Sequence, residues 1–170
     1  RMMMVENHDY NSWEGTEFER LGPAVTNTIV LSVVGAGIPL LYNGVEAGNT
    51  KRLEFFQRDP IVWRDHPNAA LFRRLFALKH QNHALWNADW GGEMVRVVNS
   101  APTKVISFTR AKDGDRVFAA FNFSAEAQAV SFTDGPFAGE WRDWNGGARV
   151  TLTPASRMTL PPWSYRLFTK

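Results

Sequence analysis

Two short apolar runs, each closed by a polar cluster and separated by about one helix of chain, constrain this sequence more than any other feature. Met2-Met3-Met4-Val5 runs into Glu6-Asn7-His8-Asp9, and Ile38-Pro39-Leu40-Leu41-Tyr42 runs into Asn43-Gly44-Val45-Glu46-Ala47-Gly48. Continuous apolar runs of this length suit strands buried on both faces of a parallel sheet. Between them Thr16 and Glu19 stand at capping-box spacing, Gly22-Pro23 puts a proline near a first-turn position, and Val25, Thr28, Ile29 and Ser32 share one helical stripe that Gly35 ends. Strand, loop, helix, strand makes a βαβ unit, whose strands run parallel with a right-handed crossover. Ligands of such folds gather at the carboxyl ends of the strands, which directs attention to Asn7-His8-Asp9. The first run has no upstream partner and the chain opens on Arg1, so the expectation is the C-terminal piece of a longer protein.

A second helix opens at Pro67-Asn68. Leu71, Leu75, Leu78, Asn82 and Leu85 recur at steps of four and three, Phe72 and Phe76 widen that face, and Arg73, Arg74 and Lys79 are expected to point outward. Around Trp90-Gly91-Gly92 the period changes from 3.6 to 2, which places a domain boundary between residues 1–92 and 93–170. Beyond it come short alternating runs. Val105–Arg110 and Arg116–Asn122 flank Asp113-Gly114, a tight-hairpin signal, because glycine tolerates the positive φ of such turns. Further strands are expected near 129–132, 139–143, 148–152, 157–160 and 164–169, a spacing typical of an antiparallel sandwich.

Hydrophobic residues make up 44% of the chain, with seven Trp and twelve Phe, enough for a packed core. A net charge of +2, with basic and acidic residues interspersed, argues against a nucleic-acid surface. The absence of cysteine excludes disulfides, thiolate metal sites and cysteine nucleophiles. The nearest approach to a membrane span, Thr28 to Leu41, is interrupted by Gly35, Gly37 and Pro39 and falls short of the ~20 residues required, so no span is expected. His66, His80 and His83 lack metal-ligand spacing; no metal and no cofactor are assigned.

Taken together, the two strand ends and the β region resemble a known family. Val5-Glu6-Asn7-His8-Asp9 resembles the seventh-strand motif of the α-amylase family (glycoside hydrolase family 13), and Gly37 to Glu46 is similar to its eighth-strand motif. The likeness continues through His66-Pro67 and Asn82-His83-Ala84-Leu85, similar to the last barrel helix, into Val105 to Ser124, with the Asn122-Phe123-Ser124 strand end of the family's C-terminal β-domain. One departure is plain: the eighth-strand loop usually carries a second Tyr and a Gln where this chain has Asn43 and Val45.

The resemblance implies an α+β two-part chain: a partial (β/α)8 barrel segment holding the last two β/α units, then an all-β antiparallel sandwich. It implies a parent that cleaves α-glucans such as starch and maltooligosaccharides with retention, using a carboxylate nucleophile and a carboxylic acid ~5 Å apart. The family brings both from its fourth and fifth strands, so this chain alone is expected to be inactive. The family's third acidic residue maps onto Asp9, and the neighbouring residue that hydrogen-bonds the same sugar maps onto His8. The physics of such a pair is independent of the family. A carboxylate at a strand mouth can accept two hydroxyl hydrogen bonds, and bonds that tighten as positive charge develops on the ring stabilise the transition state more than the ground state. The plain structural reading is that Asn7, His8 and Asp9 only satisfy a strand-to-loop turn. Glu46 is expected to orient its own loop, and Trp13 and Trp63 are set between sugar stacking and packing. Two further readings stand beside the hydrolase: a transglycosylase of the same family, or a non-catalytic sugar-binding module using Trp141, Trp144 and Trp163. The expected partners are thus the glucan, and the rest of the barrel or a second copy against the open sheet edges.

Overall fold

The computed structural model describes residues 1–170, which divide into two compact units, Arg1–Lys79 and His80–Lys170. In the first, β1 (Met2–Met3) pairs in parallel with β2 (Ile38–Pro39), Met2 opposite Ile38 and Met3 opposite Pro39. The chain between them forms α1 (Glu17–Leu21), a 3-10 turn containing Pro23, and α2 (Val25–Val34). The parallel pairing follows the sequence reading, but the strands are shorter than the apolar runs. Met2 and Ile38 are 58% and 52% exposed, so these two strands are not buried on both faces, contrary to the expectation from their composition.

Thr16 closes a reciprocal capping box with Glu19: its hydroxyl accepts the Glu19 N–H, and the Glu19 carboxylate accepts the Thr16 N–H. Along α2, Asn27, Val30, Val33 and Val34 are buried as well as Val25, Ile29 and Ser32, so the helix is embedded more widely than one stripe. Gly35 ends it in an extended conformation. A Cβ there would sit 2.8 Å from the Leu31 carbonyl oxygen, so glycine is needed for close approach and not for a left-handed turn.

A second correction concerns α3 (Pro67–Gln81). Its buried face comprises Asn68, Phe72, Leu75 and Lys79, while Leu71 and Leu78 are only half-buried. Asn68 Nδ2 donates to the Val45 carbonyl and Lys79 Nζ to the Gly37 carbonyl, anchoring both ends of that face. Lys79 therefore points inward, its apolar stem covered and its ammonium satisfied at the tip.

The second unit is an antiparallel sandwich. Its strands are β3 (Val95–Arg96), β4 (Val98–Asn99), β5 (Val105–Lys112), β6 (Asp115–Asn122), β7 (Gln128–Asp134), β8 (Gly139–Asp143), β9 (Arg149–Leu152), β10 (Arg157–Leu160) and β11 (Tyr165–Thr169). A three-stranded sheet, β10-β7-β4, faces a six-stranded sheet, β3-β5-β6-β11-β8-β9. Val105, Phe118, Ala120, Trp141, Leu152 and Phe168 from the larger sheet and Val130, Phe132, Met158 and Leu160 from the smaller share one core. Phe118 lies within ring-contact distance of Phe132, Phe137, Trp141 and Phe168. The β5–β6 hairpin turns on Asp113-Gly114, both at positive φ, as its sequence requires.

The strand end Asn122-Phe123-Ser124 has a structural purpose. The fully buried Asn122 amide donates to the carbonyls of Glu126, Leu160 and Pro161, and its oxygen accepts from Ser124 N–H and Oγ, tying β6 to the start of β7 and the end of β10. Residues 80–92 also pack within this unit, ahead of the boundary that the change of period places at Gly92. Ala84 and Leu85 are fully buried beneath β5 and β6, and buried Arg110 donates to the carbonyls of Trp86 and Gly92. Those turns are helical in local pattern yet seated on the sheet, so periodicity alone misplaces them.

Candidate functional site

The chain leaves β1 through a capped turn. Asn7 Oδ1 accepts the Tyr10 N–H at 2.8 Å and its carbonyl accepts the Asn11 N–H at 2.9 Å. His8 and Asp9 lie in that turn with side chains 64% and 60% exposed, His8 Nε2 standing 3.6 Å from Asp9 Oδ1. Asn7 thus performs the backbone duty that the plain reading assigned to all three residues, and the imidazole and carboxylate face solvent.

Tyr10–Glu14 continue as a π-helical turn, a rare geometry found disproportionately at functional sites. It is held in place by a distant segment. Buried Asn11 receives the Leu53 N–H on Oδ1 and donates to the Lys51 carbonyl, while Ser12 Oγ donates to the Leu53 carbonyl. Arg52 reaches Glu19 through two hydrogen bonds of 3.0 and 3.1 Å, which hold the Glu19 carboxyl down at about 2. The segment so anchored carries aromatic rings to the turn. Phe55 lies 5.5 Å from the His8 ring and 5.3 Å from Trp13, and Phe56 lies 4.8 Å from Phe55. Trp13 and Phe56 are 61% and 81% exposed, so Trp13 does not belong to the core. Trp63 is exposed as well.

Beneath the exposed pair runs a buried ionic layer that the sequence reading did not identify. Glu6 and Glu17 are each 1% exposed. Arg20 donates to Glu6 Oε1 (2.9 Å), to the Val5 carbonyl (2.7 Å) and to the Gly15 carbonyl (2.8 Å), and its guanidinium lies 4.7 Å from the Tyr10 ring centre. Burial, with the neighbouring Glu6, pushes the Glu17 carboxyl up to about 7, against the pull of its own backbone N–H. The only signal available in the sequence was the i, i+3 spacing of Glu17 and Arg20 on α1.

Glu46 orients its loop as expected, its carboxylate accepting the Gly44 N–H at 2.9 Å. Of the three β-domain tryptophans considered for a sugar platform, Trp141 is 3% exposed and belongs to the core, its indole N–H donating to the Phe137 carbonyl. Trp144 and Trp163 are half-buried. No group of three or more His, Asp or Glu side chains is arranged to hold a metal ion, and no helix is long and apolar enough to cross a membrane.

Residues 95–167 match the family model of the maltogenic amylase C-terminal domain. The match runs from β3 into β11, and comparison of the whole chain with solved structures shows a likeness of fold to amylases. A noncanonic maltogenic α-amylase from Thermotoga neapolitana superposes with a TM-score of 0.80 at 18% identity, over 98% of this chain and 40% of that one. An α-amylase from Geobacillus thermoleovorans, in complex with acarbose, superposes with 0.72 at 18% identity over 98% and 38%. A cyclomaltodextrin glucanotransferase superposes with 0.68 at 19% identity over 98% and 35%. The chain therefore spans well under half the length of these structures, and at such identities the likeness is one of fold. Comparison with curated protein sequences gives no significant match.

Proposed function

We propose that this chain is the C-terminal part of an α-amylase-type retaining glycoside hydrolase acting on α-glucans, with residues 1–79 contributing the last two β/α units of its (β/α)8 barrel and residues 80–170 holding its β-domain. The observation that carries the reading is the position of Asp9. Its exposed carboxylate follows a strand paired in parallel and stands beside the His8 imidazole, whose ring neighbours Phe55, itself packed on Trp13. A pyranose ring asks for this combination: hydroxyls for the carboxylate and imidazole, and an apolar face for an aromatic ring.

In this reading Asp9 binds sugar hydroxyls at the cleavage point and stabilises the flattened, positively charged ring, and His8 hydrogen-bonds the same sugar. The nucleophile and general acid come from elsewhere, so the chain by itself does not hydrolyse glucan. The cyclomaltodextrin glucanotransferase among the similar structures favours one second reading, transfer of the glycosyl group to a sugar in place of water, with the same residues in the same roles.

The test is Asp9→Asn in the longer polypeptide that supplies the nucleophile and acid, assayed on maltooligosaccharides. The expected loss in kcat is at least about 10²-fold, the scale of removing one preorganised electrostatic contact from a transition state. Hydrolysis left intact by that substitution would overturn the reading, and product analysis of the same protein separates hydrolysis from transfer.

A further inference from the structure

Two carboxyl groups and one guanidinium share the buried layer under the His8–Asp9 turn, and as bare carboxylates the two acids do not satisfy one another. Glu6 Oε1 is occupied by Arg20 and by the Asn7 N–H. Glu6 Oε2 and Glu17 Oε1 are both buried without a hydrogen-bond partner. Yet the Glu17 carboxyl lies within hydrogen-bonding reach of Glu6. Two ionised carboxylates are acceptors only, so they repel across such a contact; a single proton between them turns it into a strong charge-assisted hydrogen bond.

We propose that Glu17 is held as a carboxylic acid donating its proton to Glu6, and that this shared proton makes Glu17 a positioning residue for the His8–Asp9 turn. With one proton the layer holds one carboxylate against one guanidinium, and its charge is balanced. Glu6 fixes the Asn7 N–H immediately before His8, and Arg20 grips the chain at Val5 and Gly15, on either side of the turn. When the proton leaves for solvent, two buried carboxylates confront one arginine and the grip on Asn7 is contested.

The other ionisable groups around this layer are few. Burial, helped by the Glu6 charge, pushes the phenol of Tyr42, beyond β2, upward and away from neutral pH. Tyr10 sits under the Arg20 guanidinium. Glu19, on the same helix as Glu17, is exposed and committed to Arg52. His8 and Asp9 are in the turn itself, and the experiment removes the His8 imidazole so that the signal followed belongs to Glu17.

The experiment is a pH titration of the 170-residue chain carrying His8→Gln, following side-chain carboxyl carbons and backbone amides by NMR. The expected result is a Glu17 carboxyl midpoint near neutral, with the Asn7 and Asp9 amides moving at the same midpoint. Adding Glu17→Gln, whose amide can donate to Glu6 without titrating, abolishes that transition and leaves those amides in their low-pH positions. Glu6→Gln, the second variant, shifts the Glu17 midpoint down toward the ordinary carboxyl range. A Glu17 midpoint in the ordinary range, or amides that ignore its titration, overturns the proposal. Neither outcome depends on glucan binding, so this inference and the proposed function stand or fall separately.

Discussion

Replacing Glu17 by glutamine gives a thermodynamic prediction whose sign and size follow from burial. A buried carboxyl raised from 4.5 to about 7 binds a proton in the folded chain that the unfolded chain has already released between those values. The favourable contribution is therefore complete below the unfolded value, declines as pH rises toward 7, and is flat above. At about 1.4 kcal/mol per pH unit the decline is of order 3 kcal/mol. Glutamine keeps the shape and a donor but has nothing to titrate. The unfolding free energy of the wild type minus that of Glu17→Gln should then fall by about 3 kcal/mol between pH 4.5 and 8. The assay is urea unfolding followed through the amides of Thr16–Arg20, repeated across that range. Taking the difference cancels every other group whose titration the two proteins share. A difference independent of pH would refute the argument, because it would mean that Glu17 titrates alike in the folded and unfolded chains.

Phe118→Ala should cost about 3–5 kcal/mol, since the ring is fully buried among Phe132, Phe137, Trp141 and Phe168, whereas Phe56→Ala, at 81% exposure, should stay within about 0.5 kcal/mol; chemical denaturation of both variants compares them directly. Gly48→Ala should destabilise the first unit, because position 48 holds φ +61° and a Cβ would lie 2.5 Å from the His66 ring; a lowered thermal midpoint is the readout. The exposed Met2 and Ile38 on a two-stranded sheet should drive self-association of the isolated chain, visible as a concentration-dependent sedimentation coefficient, and a monomer at high concentration would count against it.

The β-domain was legible because its signals are local. Asp113-Gly114 dictates a two-residue turn, and short apolar-rich runs between turn signals mark β5 through β11 to within a residue or two. The two-residue strands β3 and β4 carry too little pattern to be seen, and they are fixed by pairing with β5 and β7. The α3 face was misjudged because Asn68 and Lys79, polar by type, are buried by hydrogen bonds to carbonyls far away in sequence. His8 and Asp9 could be singled out because polar residues follow an apolar run. The aromatic neighbours of that pair, and the Glu6–Glu17–Arg20 layer beneath it, could not. Each rests on contacts between residues far apart in sequence, such as Arg20 to Glu6 and His8 to Phe55, and no periodicity encodes these.

The most direct test of a glucan site beside Asp9 is to titrate maltoheptaose into the isotope-labelled chain while observing all seven tryptophan indoles and the His8 ring by NMR. Binding beside Asp9 predicts saturable shifts of Trp13 and His8 that disappear in Trp13→Ala. Shifts confined to Trp144 and Trp163, or unmoved Trp13 and His8 signals at glucan concentrations far above those of ordinary substrates, would contradict it.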